Sequence, residues 1–170
     1  PFANSAVVVS VEPHDFGATS TDNPLAGIEF QRHLEQRAYQ AGGGHFIAPA
    51  QKLNDFLNNK KSTDVLPSTY RPALKSANLR DCLPEFITTP LQEALRQFNQ
   101  VMPGYITDEA QLIGVETRTS APVRILRGSD LQSPSVKGLY PCGEGAGYAG
   151  GIVSAAIDGL RVAYAILAGL

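Results

Sequence analysis

The chain has 170 residues, enough for one domain or two small lobes, and its 43% apolar and 18% charged content calls for a packed core rather than wholesale disorder. A formal net charge of −2 gives no bulk attraction to nucleic acid or to an anionic membrane. Cys82 and Cys142 form no CxxC pair and His14, His33 and His45 share no ligand spacing, so neither a disulfide framework nor a metal centre is expected.

In chain order, residues 6–12 read as a strand buried on both faces, because Val7, Val8 and Val9 follow one another and Pro13 closes the run. A turn-rich stretch follows, after which Asp22 or Asn23 caps a helix with Pro24 at its first position. Leu25, Ile28, Leu34, Ala38 and Ala41 recur at helical spacing, and Gly42, Gly43 and Gly44 stop the helix. Short helices are expected over 50–57 and 71–81, the basic residues between Lys52 and Arg80 forming a solvated face. Thr89 and Gln92 match a capping box around Pro90, and the helix they open presents Leu91, Leu95, Phe98, Val101 and Met102 on one face before Pro103 and Gly104 end it. Residues 46–108 therefore read as a helical insertion.

From Gln111 the period changes, and 112–117 and 123–126 read as strands. A polar loop from Arg127 leads to a short buried strand over 138–142, in which Cys142 is a core residue. The run from Gly143 to Gly151 follows. A helix then occupies about 151–168, with Ile152, Ala155, Ala156, Leu160, Ala163 and Leu167 facing inward. Asp158 and Arg161 interrupt the last apolar stretch and make it a poor membrane span. Pro1 and Phe2 open no signal pattern, and a reducing cytoplasmic compartment is the default.

Strand, glycine-rich turn and helix is the arrangement in which backbone N–H groups at a helix N-terminus meet a phosphate or another electron-rich group. Gly145, Gly147 and Gly150 match GxGxxG, yet the dinucleotide fingerprint needs a further strand with an acidic residue about twenty residues on, and Leu170 comes first. Arg118, Thr119, Ser120 and Arg124 either line a pocket in which an arginine clamps an anion, or form a polar loop paired with surface carboxylates. Ser120 lacks the context of a nucleophile. Tyr148 either shields a bound ring or packs beneath the turn.

The segment from Gly138 through Gly143 and Glu144 into a small-residue helix resembles the last FAD motif of the glutathione-reductase-like FAD/NAD(P)-binding flavoproteins. The stretch from Gly114 through Glu116, Arg118, Pro122 and Arg124 looks like the block preceding that motif in a bacterial family of predicted FAD-dependent dehydrogenases, and the stretches from Pro24 to Phe30 and from Phe46 to Gln51 are similar to that family too. The resemblance implies that Glu144, where aspartate is commoner, binds ribityl hydroxyls. It implies that Gly143, Gly145 and Gly150 let backbone approach the cofactor, and that the amides of Gly151 and Ile152 face the flavin pyrimidine edge. Arg118, Thr119, Ser120 and Arg124 would line a substrate or flavin pocket, with the catalytic residues unassigned.

The fold it implies is α+β. Residues 1–127 are part of a substrate domain, with the helical insertion at about 46–108, and 128–170 are the last strand–helix unit of a doubly wound FAD-binding domain. The glycine motif that grips the FAD pyrophosphate is not in residues 1–44, so the chain reads as a fragment. Its partner is then the missing N-terminal FAD-binding portion, its substrate an unidentified small molecule, and turnover alone is not expected. FAD belongs to the full-length protein, NAD(P) use is left open, and exposed apolar surface favours self-association. The competing expectation is a non-catalytic binding module whose glycine turn only packs a strand on a helix.

Overall fold

The computed structural model describes residues 2–17 and 23–169; Asp22, one of the two expected helix caps, lies outside them. The chain divides into two compact units. The first comprises Pro1–Thr19 and Phe30–Thr117, the second Ser20–Glu29 and Arg118–Leu170.

The first unit is built on a three-stranded mixed sheet. Strands β1 (Ala48–Lys52), β2 (Leu74–Ser76) and β3 (Gln111–Ile113) lie in the order β2-β1-β3. β1 pairs parallel with β2, Pro49 opposite Lys75, and antiparallel with β3, Gln51 opposite Leu112. Helix α1 (Ala26–Gly42) precedes the sheet, the one-turn helix α2 (Leu53–Leu57) follows β1 directly, and α3 (Glu85–Val101) lies between β2 and β3. Leu53, Phe56 and Leu57 of α2, Leu79 and Leu95 form the core, joined at its margin by Val7, Leu91, Phe98 and Leu112. Burying Phe56 or Leu95 fully contributes about 1.5–3 kcal/mol each.

α1 forms much as its sequence signals require. Asn23 Oδ1 accepts from Leu25 N–H (3.1 Å), Asn23 O accepts from Ala26 N–H (3.2 Å), and Leu34 and Ala38 are buried. Gly43 and Gly44 both sit at φ +87°, a left-handed stop that glycine adopts freely. Leu25, however, precedes the helix and is exposed.

Several local expectations are corrected. Residues 6–12 pair with no strand among the described residues; Val7, Val9 and Val11 are half-buried while Val8 is exposed, and Val7 packs against the core. The helix expected over 50–57 is half strand and half helix. Gln51 explains it: fully buried in β1, its side chain accepts from Leu79 N–H (2.9 Å) and donates to Lys60 O (2.6 Å), partners a local reading does not supply. In place of a helix over 71–81 stand β2 and a 3-10 turn, Leu79–Asp81.

α3 begins at Glu85, so Pro90 is inside it and Thr89 caps nothing. Ile87, Thr88, Gln92 and Leu95 form one buried stripe, and its burial outweighs the backbone hydrogen bond that Pro90 cannot make. Gln92 Nε2 donates to Phe56 O (2.5 Å) and Arg96 to Leu57 O (2.6 Å), satisfying carbonyls at the end of α2. Val101 and Met102, expected on the apolar face, are exposed.

In the second unit, α4 (Ile152–Gly169) follows the glycine-rich run. Neither 123–126 nor 138–142 forms a ladder among the described residues, and Cys142 is exposed rather than in the core. Of the residues expected to face inward on α4, only Ala155 lies on the inner face, which is rotated well away from the expected one. Asp158 and Val162 are buried with Ala155, Ala165 and Ile166 half-buried beside them, whereas Ile152 (92%), Leu160 and Leu167 are exposed. The helix is apolar on nearly every side, so periodicity does not select its inner face. By length and composition alone it is also apolar enough to cross a bilayer.

Candidate functional site

The entry to the glycine-rich run is held by one ion pair. Arg127 makes a two-pronged contact with Asp158 of α4, at 2.9 Å to Oδ2 and 2.7 Å to Oδ1, and both side chains are nearly enclosed. Arg127 also donates to Pro141 O (2.8 Å), and Asp158 Oδ2 accepts from Gly143 N–H (2.9 Å). The pair therefore ties the entry to the run, at Pro141 and Gly143, to the second turn of α4. The Arg127 guanidinium, aided by the Gly143 amide, holds the Asp158 carboxyl down at about 2 against the opposing effect of burial. The same hydrogen bond raises the Arg127 pKa above its ordinary value.

Segment 123–127 also bonds to the run directly. Ile125 N–H donates to Ala146 O (3.1 Å), Ile125 O accepts from the Tyr148 hydroxyl (3.0 Å), and Arg124 Nε donates to Gly147 O (3.1 Å). The Tyr148 ring lies under the Arg127 guanidinium at 3.7 Å and near that of Arg124 at 5.1 Å. Of the two readings of Tyr148, these contacts show it packing on the arginines that support the turn. Gly147, at φ +82°, passes so close to this segment that a Cβ would stand 2.4 Å from Val123 O. No other residue type fits there without displacing backbone.

The expected site residues fall into two groups. Gly143 is buried with its amide engaged, Glu144 is exposed with its carbonyl accepting from Gly147 N–H (2.9 Å), and Gly145 and Gly150 face open space. Gly151 N–H donates to Ser154 Oγ (3.1 Å), and the Ile152 side chain stands in solvent at the start of α4. Arg124 is brought onto the run. Arg118, Thr119 and Ser120 are exposed on the segment leading to it, Arg118 with an interaction of its own. Sequence reasoning missed Arg127 and Asp158. The available signal was the one carboxylate on a largely apolar helix, whose other charged residue is Arg161; a carboxylate buried there calls for a partner.

The profile of the family described as FAD-dependent protein, C-terminal domain-like, matches residues 1–119. An uncharacterized protein of Clostridium beijerinckii is 48% identical over 168 residues, which is 97% of this chain and 31% of the relative's own length. That similarity runs over nearly the whole chain and takes in the glycine-rich run, which lies beyond the family match. With well over half of its length matched, the chain belongs to the family of FAD-dependent proteins with this C-terminal domain-like region.

Proposed function

We propose that the chain is the C-terminal part of a FAD-dependent oxidoreductase in which the run from Gly143 to Gly151 lies against the cofactor. The observation that carries this reading is the family match, and the surface of the run suits it. Gly145 and Gly150 leave open space where side chains would stand, Glu144 is exposed, and α4 begins at Ile152, directly after the run. These features fit a large polar ligand that needs close backbone approach.

In this reading Glu144 accepts hydrogen bonds from ribityl hydroxyls, and the start of α4 at Gly151 and Ile152 places its positive end near the electron-rich edge of the ring. Arg124, with Arg118, Thr119 and Ser120, borders the substrate side and orients an anionic group. Bound there, FAD supplies hydride exchange with a small-molecule substrate. Residues 128–170 are the closing unit of a doubly wound FAD domain and 1–127 part of the substrate domain. The pyrophosphate grip comes from the larger share of the protein, N-terminal to this chain, so the chain alone does not turn over; NAD(P) is a candidate electron partner.

A non-catalytic binding module is the second reading, favoured by one observation: the amides of Gly143, Gly147, Tyr148 and Gly151 are already satisfied within the unit. Glu144→Ala in the full-length protein separates the two. A flavin site predicts FAD affinity at least about tenfold weaker with an unchanged melting temperature. Equal affinity removes Glu144 from the ribityl role.

A further inference from the structure

We infer that the first unit holds a ligand site of its own, an open groove along α1 that takes a small planar aromatic carboxylate. The groove measures about 700 Å³ and is lined by Arg32, Gln36 and Tyr39 of α1, by Phe46 at the turn into β1, and by Tyr70. Its volume lies in the range of small-molecule sites, roughly 300–1,000 Å³. Positions 32, 36 and 39 follow helical spacing and so share one face of α1.

The turn at its end presents an aromatic ring to solvent at a conformational cost. Four successive residues are left-handed: Gly43 and Gly44 at φ +87°, His45 at +55° and Phe46 at +59°. Glycine adopts this region freely, a bulky aromatic residue does not, and such strain gathers where a side chain has a task outside the core. Phe46 is 78% exposed, with its ring edge-on to that of Tyr39 at 6.0 Å. The Tyr39 hydroxyl accepts from His45 N–H (3.3 Å) and braces the turn. Tyr39 and Tyr70 are themselves half exposed or nearly so, so the groove offers ring faces and edges that the core does not use.

Charge decides the polar end of the ligand. Arg32 is exposed, and among the described residues no hydrogen bond or ion pair engages its guanidinium. Glu35 also borders the groove, but its carboxylate already accepts from Thr117 Oγ1 at 2.8 Å. The available charge is therefore a planar cation in a groove that aromatic rings also line, and it matches a carboxylate carried on an aromatic ring. This inference concerns the first unit only and stands apart from the flavin reading, so either can fail alone.

The test is a titration of 2-naphthoate, with neutral 2-naphthamide beside it, into the full-length protein carrying isotope-labelled tyrosine and glycine, followed by amide NMR shifts. Saturable shifts at Tyr39, Gly43, Gly44 and Tyr70 are expected. Arg32→Gln and Phe46→Ala, both at exposed positions, should each weaken naphthoate binding at least about tenfold, and naphthamide should bind wild type no better than naphthoate binds Arg32→Gln. Absence of saturable shifts, shifts confined to the exposed face of α4, or equal binding of acid and amide would overturn the assignment.

Discussion

Arg127 and Asp158 meet through two hydrogen bonds, 2.9 and 2.7 Å long, and Asp158 shares one of its oxygens with the amide of Gly143. One carboxylate on α4 thus fixes both the rotation of that helix and the start of the glycine-rich run. Removing either partner leaves the other charge nearly enclosed and unpaired. Asp158→Ala should therefore destabilise the second unit by about 1–3 kcal/mol, and Arg127→Met by a comparable amount. The double variant Arg127→Met/Asp158→Leu should recover much of the loss, because no orphaned charge remains. Chemical denaturation followed by circular dichroism checks all three; additive losses in the double variant would contradict the coupling.

Asp158 also sets an acid limit. Its folded pKa, about 2, is below the value near 3.9 of a free aspartate, so the pair contributes stability that is complete above that unfolded value and is lost as pH falls through about 2. Melting temperature against pH should fall across this window in the wild type, and Asp158→Asn should flatten that part of the profile. An identical acid slope in the variant would remove Asp158 as the titrating group.

Glycines in the run differ in what they require. Gly147→Ala drives a methyl into Val123 O at a left-handed backbone position and should cost more than about 1 kcal/mol, whereas Gly145→Ala, with open space around it, should be nearly neutral for folding. If Gly145→Ala nevertheless lowers FAD affinity in the full-length protein, the open face of the run is the binding face.

The two thiols should separate cleanly. Cys82 is fully buried, and burial, with Asp81 beside it, pushes its pKa up; Cys142 is exposed. A thiol reagent should label Cys142 at once in the native protein and Cys82 only after denaturation. Rapid labelling of both would mean that the core of the first unit opens readily.

Legibility in the sequence followed the range of the interactions. The stop of α1 at Gly43 and Gly44, the end of α3 before Gly104 and the glycine turn leading into α4 were readable, because each is decided by residues a few positions apart. The split of 48–57 into strand and helix was not, since Gln51 is satisfied by Lys60 and Leu79. The start of α3 was misplaced because a local capping pattern at Thr89 and Gln92 competes with the buried stripe that begins at Ile87. Glu144 and the glycines of the candidate site stood out as a motif. Their support did not, because Arg127 and Asp158 are separated by a loop, the whole glycine-rich run and the first turn of α4.

The most direct test of the account is the visible absorbance spectrum of the full-length protein containing this chain. The account predicts a yellow protein with flavin bands, and flavin that is released on denaturation as FAD. A colourless protein that takes up no added FAD would contradict it and leave the glycine-rich run a packing device between segment 123–127 and α4.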